Sequence, residues 1–121
     1  MAEVLITLPS KGAVMHWIKL FDSETEALQR LPPRKIFTVA INDYKVCLVR
    51  EDKTISAFKA NCPHAGVPLS DGYVNAHHEI VCPLHSYRFS LLDGKETTGQ
   101  NCELFMYPIE VRNEGVFLGW R

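Results

Sequence analysis

Two short blocks of the sequence each pair one cysteine with one histidine, and they restrict the possible folds more than any other feature. The first block is Cys62-Pro63-His64, the second is Cys82-Pro83-Leu84-His85, and residues 65–81 separate them. Thiolates and imidazoles are metal ligands, so the chain has to bring two separate loops to one point. Each block follows a predicted strand, which allows a rigid sheet to hold both loop bases in register.

The length and the composition indicate one ordinary globular domain. The chain has 121 residues, of which 46% are hydrophobic and 22% are charged, as expected for a compact domain with a single core. Thirteen basic and fourteen acidic residues leave a net charge of −1, so the bulk electrostatics do not indicate binding to nucleic acid or to a membrane. No apolar stretch approaches the roughly twenty residues of a membrane span, and the first ten residues lack an export signal. We therefore expect a cytoplasmic protein.

Short segments rich in β-branched and aromatic residues, separated by turn residues, predict an all-β fold of antiparallel strands. One short helix is predicted after Asp22 or Ser23, because Ser23 is followed by Glu26 in a capping-box pattern, and it ends no later than Leu31. The predicted strands are Trp17 to Phe21, Lys35 to Ile41, Lys45 to Arg50, Ile55 to Lys59, Glu79 to Val81, Tyr87 to Leu91, Phe105 to Val111 and Gly115 to Trp120.

The four cysteines favour metal binding over disulfides. Cys62 and Cys82 lie in ligand spacing with histidines, and no export to an oxidising compartment is indicated. Cys47 falls within a predicted strand, where a small buried thiol is the expected role. Nothing in the sequence assigns a ligand role to Cys102.

The arrangement of the two blocks resembles the ligand signature of Rieske proteins over about Met15 to Trp120. The resemblance implies the Rieske fold, which has three stacked antiparallel sheets and a small cluster-binding subdomain, here with loops at about residues 60–68 and 82–88. It also implies one [2Fe-2S] cluster per chain, with Cys62 and Cys82 on the buried iron and His64 and His85 on the outer iron. Residues 15–121 would form this domain, and residues 1–14 would be an N-terminal extension of undecided role.

A structural zinc site is the main alternative for the four ligands, because two cysteines and two histidines also suit tetrahedral zinc. Zinc fingers usually group cysteine with cysteine and histidine with histidine, and they place the histidines on a helix. The mixed pairing on loops between strands therefore favours an iron–sulfur cluster.

The resemblance also predicts a low reduction potential. High-potential members carry an extra cysteine in each loop, and a serine and a tyrosine that hydrogen-bond to the cluster sulfurs. Those positions match Val67, Leu84, Tyr87 and Phe89 in this chain. Without these groups, the potential is expected near the low end of the family range of about −150 to +300 mV. Ser86 stands where a glycine usually follows the last histidine, which predicts a backbone there that either tolerates a side chain or is mildly strained.

These features predict a soluble, monomeric electron carrier and not an enzyme. It would pass single electrons from a flavin-dependent reductase to a terminal oxygenase or similar redox enzyme, which would dock near His64 and His85. The alternatives are a fixed small subunit of a larger reductase, as in the nitrite reductase branch of this fold, and a structural zinc module for protein binding.

Overall fold

The structure, a computed structural model, describes the backbone of Leu5–Ile6 and the chain from residue 16 to residue 120. Eleven strands and one α-helix lie within these ranges. The strands are β1 (Leu5–Ile6), β2 (His16–Phe21), β3 (Ile36–Ile41), β4 (Tyr44–Glu51), β5 (Thr54–Lys59), β6 (Tyr73–Val74), β7 (Glu79–Val81), β8 (Arg88–Ser90), β9 (Met106–Tyr107), β10 (Ile109–Arg112) and β11 (Gly115–Trp120). The helix α1 is Glu24–Arg30, and a 3-10 helix covers Leu69–Asp71.

The strands form three sheets. The central sheet has the order β1-β3-β4-β5-β9, the second has the order β10-β11-β2, and the third has the order β6-β7-β8. All neighbouring strands pair antiparallel except β1, which runs parallel to β3. The predicted all-β class with three antiparallel sheets is confirmed, with this one parallel pair as an addition.

Two hydrophobic cores cover opposite faces of the central sheet. Successive side chains of a strand point to opposite faces, and in β4 Val46 and Leu48 join the core shared with the second sheet and α1. Their neighbours Cys47 and Val49 join the core shared with the third sheet. This double coverage explains why these four adjacent residues are all buried. The three sheets are therefore layered around β4 and β5.

The helix begins where the capping pattern predicts. The Ser23 hydroxyl accepts a hydrogen bond from the Glu26 amide at 3.0 Å, as an N-cap does. The Glu26 carboxylate accepts one from the Asp22 amide at 3.0 Å, one residue before the cap. The helix ends at Arg30, before Pro32 and Pro33.

One predicted strand divides between two sheets. The segment from Phe105 to Val111 forms β9 in the central sheet and β10 in the second sheet. Pro108 lies between them, and proline cannot donate a hydrogen bond to a strand ladder. The Pro108 carbonyl instead accepts from the Gly119 amide at 2.9 Å. The break at Pro108 thus lets one segment serve both layers.

The predicted N-terminal extension falls almost wholly outside the described residues. Only the backbone of Leu5–Ile6 is described there, paired with Ala40 and Ile41 of β3. The division of the chain at residue 15 stays a prediction. No helix in the described part of the chain combines the length and the apolar character needed to cross a membrane.

Glu79 connects the third sheet to the loop that follows it. Glu79 is 9% exposed. Its carboxylate accepts hydrogen bonds from the side-chain amide of Asn75 at 2.7 Å and from the Thr97 hydroxyl. The hydrogen bond from Thr97 has the larger effect, and together these hydrogen bonds hold the pKa of Glu79 below its ordinary value. The charged carboxylate therefore stabilises the β7 end of the third sheet.

We expect Glu79→Gln to lower the free energy of unfolding by about 1 kcal/mol at neutral pH. A glutamate with a depressed folded-state pKa contributes its full stabilisation above its unfolded pKa of about 4.3, and loses it as the pH falls through the folded value. Urea titrations of both proteins in steps from neutral to acidic pH should therefore show a difference that narrows below about pH 4. A difference that stays constant across this range would contradict a role for the charge.

Candidate metal centre

The two predicted ligand loops close in the same way. In the first loop, the Cys62 amide donates a hydrogen bond to the Val67 carbonyl at 2.9 Å. In the second loop, the Cys82 amide donates to the Tyr87 carbonyl at 2.8 Å. Each cysteine is thus tied to the residue five positions later, and the first loop follows β5 while the second follows β7. The prediction that each loop opens after a strand is confirmed.

Both loops use left-handed backbone just before they close. Gly66 has a φ of 71°, and Ser86, at the same place in the second loop, has a φ of 56°. His85 beside it has a φ of 64°. Glycine adopts this conformation freely, whereas a residue with a side chain does so at a cost. The sequence allowed either a backbone that tolerates a side chain at Ser86 or a mildly strained one, and the positive φ shows the strained backbone.

The two loops are held together by close backbone contacts. The Leu69 amide donates to the Ala60 carbonyl at 2.7 Å, which returns the first loop to the end of β5. Gly72 then packs against β7 so closely that a Cβ atom there would lie 2.0 Å from the Val81 carbonyl oxygen. Val81 directly precedes Cys82, so the absence of a side chain at Gly72 lets the first loop approach the start of the second.

The two loop thiols lie together in the second core. Cys62 is 2% exposed and Cys82 is 1% exposed. Burial raises the pKa of the Cys82 thiol; a hydrogen bond from the Leu84 backbone lowers this pKa in part, and the neighbouring Cys62 thiol raises it further. Thiols bind metals as thiolates, so loading this pair with a metal releases protons.

The two loop imidazoles lie on the exposed side of the same tip. His64 and His85 are both exposed, with ring centroids 5.5 Å apart and planes inclined at 59°. The His64 ring also stacks on the Tyr87 ring, with centroids 4.0 Å apart and an interplanar angle of 17°. The structure thus brings the four predicted residues together as a buried thiol pair and an exposed imidazole pair.

This donor set suits a group with two metal atoms in different surroundings. Among residues 16–120, no three histidine, cysteine, aspartate or glutamate side chains converge closely enough to hold a single ion. The four donors are instead divided into two pairs by residue type and by burial. A [2Fe-2S] cluster with mixed ligands takes two thiolates on one iron and two imidazoles on the other, and the residues present fit that requirement.

The other two cysteines have different surroundings. Cys47 is buried in the central sheet, where its sulfur lies 3.9 Å from the Thr38 hydroxyl oxygen. Burial raises the pKa of the Cys47 thiol to about 11, so this thiol is protonated and unreactive. Cys102 is half-buried and packs at the edge of the second core. Burial raises the pKa of the Cys102 thiol, and Glu96 raises it further.

Other tip residues differ in their packing. Val67 packs against the second core, whereas Leu84 is 41% exposed. The sequence did not indicate the ring contact of Tyr87 or the buried carboxylate of Glu79. Before the structure, only the closeness of Tyr87 to His85 in the sequence suggested a role for Tyr87 at the site. A contact between two loops leaves no periodic pattern in the sequence, so the stacking on His64 could not be predicted.

Comparisons with known proteins place the chain in a family. The sequence model of the Rieske [2Fe-2S] domain family matches residues 20–108 of this chain. The chain belongs to the Rieske [2Fe-2S] domain family, and its cofactor is therefore a Rieske-type [2Fe-2S] cluster. This confirms the family and the cofactor predicted from the sequence, and it favours iron–sulfur over zinc.

One relative is the ferredoxin component of the naphthalene 1,2-dioxygenase/salicylate 5-hydroxylase systems of a Ralstonia species. It is 29% identical over 104 residues, which cover 85% of this chain and 94% of the relative. This likeness over nearly the full length of the relative supports an electron carrier and not a catalyst, as predicted.

Two solved structures share the fold. A chain in the complex of reduced oxygenase and oxidized ferredoxin in carbazole 1,9a-dioxygenase has a TM-score of 0.68 and 21% identity, covering 84% of this chain and 91% of that one. A Mycobacterium tuberculosis protein described as the small subunit of an NADH-dependent nitrite reductase has a TM-score of 0.73 and 22% identity, covering 89% of this chain and 97% of that one. At these identities the two likenesses concern the fold alone.

We expect Ser86→Gly to raise the free energy of unfolding by about 0.5–1 kcal/mol, because glycine removes the cost of the left-handed backbone. Thermal or urea unfolding of the loaded protein measures this change. Ser70→Gly is the matched control, since Ser70 lies in the 3-10 helix with negative φ, and the extra freedom of the unfolded chain should lower stability there. A loss of stability in both variants would contradict strain at Ser86.

Proposed function

We propose that this chain is a ferredoxin that takes single electrons from a flavin-dependent reductase and delivers them to a terminal oxygenase or similar redox enzyme. Cys62 and Cys82 would hold one iron of the cluster, and His64 and His85 would hold the other. The observation that carries this assignment is the division of the four side chains into a buried pair and an exposed pair at one tip. We further propose that the chain works as a monomer in the cytoplasm.

The chain's own residues suit the entry and exit of electrons at this tip. A bound [2Fe-2S] cluster supplies one-electron chemistry. His64 and His85 reach the surface, so a partner that contacts the tip meets the two imidazoles directly. The thiol pair lies in the apolar second core, which keeps water away from that side.

The surface around the imidazoles suits a transient partner. Residues 62–68 and 82–87 carry no aspartate, glutamate, lysine or arginine. Exposed side chains there include Pro63, Pro83 and Leu84, which form a small apolar rim. Weak redox complexes bury less than about 1,200 Å² in total, and a tip of this kind supplies a contact of that class.

The oxygenase as acceptor rests on the relatives. The Ralstonia relative is a ferredoxin component of oxygenase systems, and the carbazole dioxygenase structure contains oxygenase and ferredoxin in one complex. The Mycobacterium tuberculosis protein shares the fold alone, and this fold also suits a second candidate, a fixed small subunit of a larger reductase. Size-exclusion chromatography of native extract distinguishes the two, since a fixed subunit elutes in a stoichiometric complex with its reductase.

Anaerobic titration of the purified protein tests the proposed chemistry. The oxidised protein should be red-brown with two irons per chain, and it should take up one electron per cluster. The reduced protein should give an EPR signal whose average g value lies below the free-electron value. A colourless protein loaded with zinc would overturn the proposal.

The cysteines provide a test of the ligand assignment. Cys82→Ala should abolish the visible absorbance and the bound iron, because the buried iron would lose one of its two proposed protein ligands. Cys47→Ala and Cys102→Ala are the matched controls and should keep two irons per chain. The cavity left by Cys47→Ala should lower stability by about 1 kcal/mol. Full iron content in Cys82→Ala would exclude Cys82 as a ligand.

His64→Cys should lower the midpoint potential while keeping part of the cluster. A thiolate in place of a neutral imidazole adds one negative charge, which disfavours addition of an electron. All-cysteine plant-type clusters lie near −400 mV, so one substitution is expected to lower the potential by roughly 100 mV or more. Redox titration followed by absorbance measures the shift. An unchanged potential in a loaded variant would show that His64 is not a ligand.

A further inference from the structure

Tyr87 contacts both ligand loops. Its carbonyl accepts the hydrogen bond from the Cys82 amide at 2.8 Å and so closes the second loop. Its ring stacks on the ring of His64 in the first loop, with centroids 4.0 Å apart. Tyr87 is half-buried and packs against the second core, so its position is set by the core and not by solvent.

The His64 ring needs such a contact to keep one orientation. His64 is exposed on a surface loop, and the terminal torsion of a histidine side chain has a broad energy profile. An interplanar angle of 17° against an anchored aromatic ring restricts that torsion. The ring of Tyr87 also covers one face of the imidazole from water.

We propose that Tyr87 is a positioning residue for His64, which holds the imidazole in the orientation that ligates iron and limits access of water to that side of the site. This inference rests on the proposed ligand role of His64. The position was matched in the sequence to a serine that hydrogen-bonds to the cluster in high-potential proteins, and the structure gives its side chain a different contact. The aromatic ring carries the effect, so the hydroxyl group is dispensable.

Three variants of the loaded protein test the inference. Tyr87→Phe keeps the ring, and Tyr87→Leu keeps an apolar side chain without it. Tyr73→Leu is the matched control, because Tyr73 is 61% exposed and lies on β6 of the third sheet, whose strand β8 begins directly after Tyr87. The measurements are the rate of cluster loss to a chelator, the midpoint potential, and the nitrogen couplings of the two imidazoles in pulsed EPR of the reduced protein.

We expect Tyr87→Phe and Tyr73→Leu to match the wild type in all three measurements. Tyr87→Leu should lose its cluster about two- to tenfold faster, as expected for loss of one aromatic stack. Its midpoint potential should rise, because water that reaches the site stabilises the more negative reduced state. One of its two sets of nitrogen couplings should shift or broaden.

Several results would overturn the inference. Tyr87→Leu could match Tyr87→Phe in all three measurements, or Tyr73→Leu could change as much as Tyr87→Leu, which would indicate general loosening of the sheet. If Tyr87→Leu retains no cluster, Tyr87→Met takes its place, since methionine fills irregular space well. If the wild-type protein lacks two sets of imidazole couplings, the ligand assignment is overturned as well. If the wild type has both sets and Tyr87→Leu matches it in all three measurements, this inference alone is overturned.

Discussion

The β4–β5 hairpin is buried on both faces, and the rest of the structure is arranged around this constraint. One face supports the core beneath the second sheet and α1, and the other face supports the core that contains Cys62 and Cys82. A strand covered on both sides needs apolar residues at consecutive positions, as in the run from Val46 to Val49. The loop after β5 therefore starts from a rigid base, and the third sheet brings the second loop to the same place.

The site combines a buried half and an exposed half. Thiolates without a partner are costly to bury, so the apolar surroundings of Cys62 and Cys82 suit a protein whose thiol charges are compensated by metal. His64 and His85 are exposed instead, which suits the proposed docking of a redox partner at this tip. The hydrogen bonds from Cys62 to Val67 and from Cys82 to Tyr87 each close one loop. Each closed loop fixes its buried cysteine relative to its exposed histidine.

Sequence reasoning predicted the elements with strong local signals. The strands around Val46 and Ala57 and the β11 strand are rich in β-branched and aromatic residues and are bounded by turn residues, and the helix after Ser23 has a capping residue. The structure confirms these elements. Sequence reasoning did not predict β6, whose two residues are too few to show a period. It also did not predict the parallel pairing of β1, the division of one segment at Pro108, or the hydrogen bonds to Glu79, since each depends on residues distant in the chain.

The sequence by itself determined the chemical identity of the candidate site: two thiols and two imidazoles, in mixed pairs, on loops that follow strands. Spacing along the chain does not determine which side chains are buried. Cys62 and His64 are near neighbours in sequence, yet Cys62 is buried and His64 is exposed. The family resemblance implied that thiol pairs with thiol and imidazole with imidazole, and only the tertiary structure showed the packing that buries the first pair and exposes the second. The tertiary structure also placed Tyr87 against His64. The physical reason is that burial in the second core is a property of packed layers, and no local pattern encodes it.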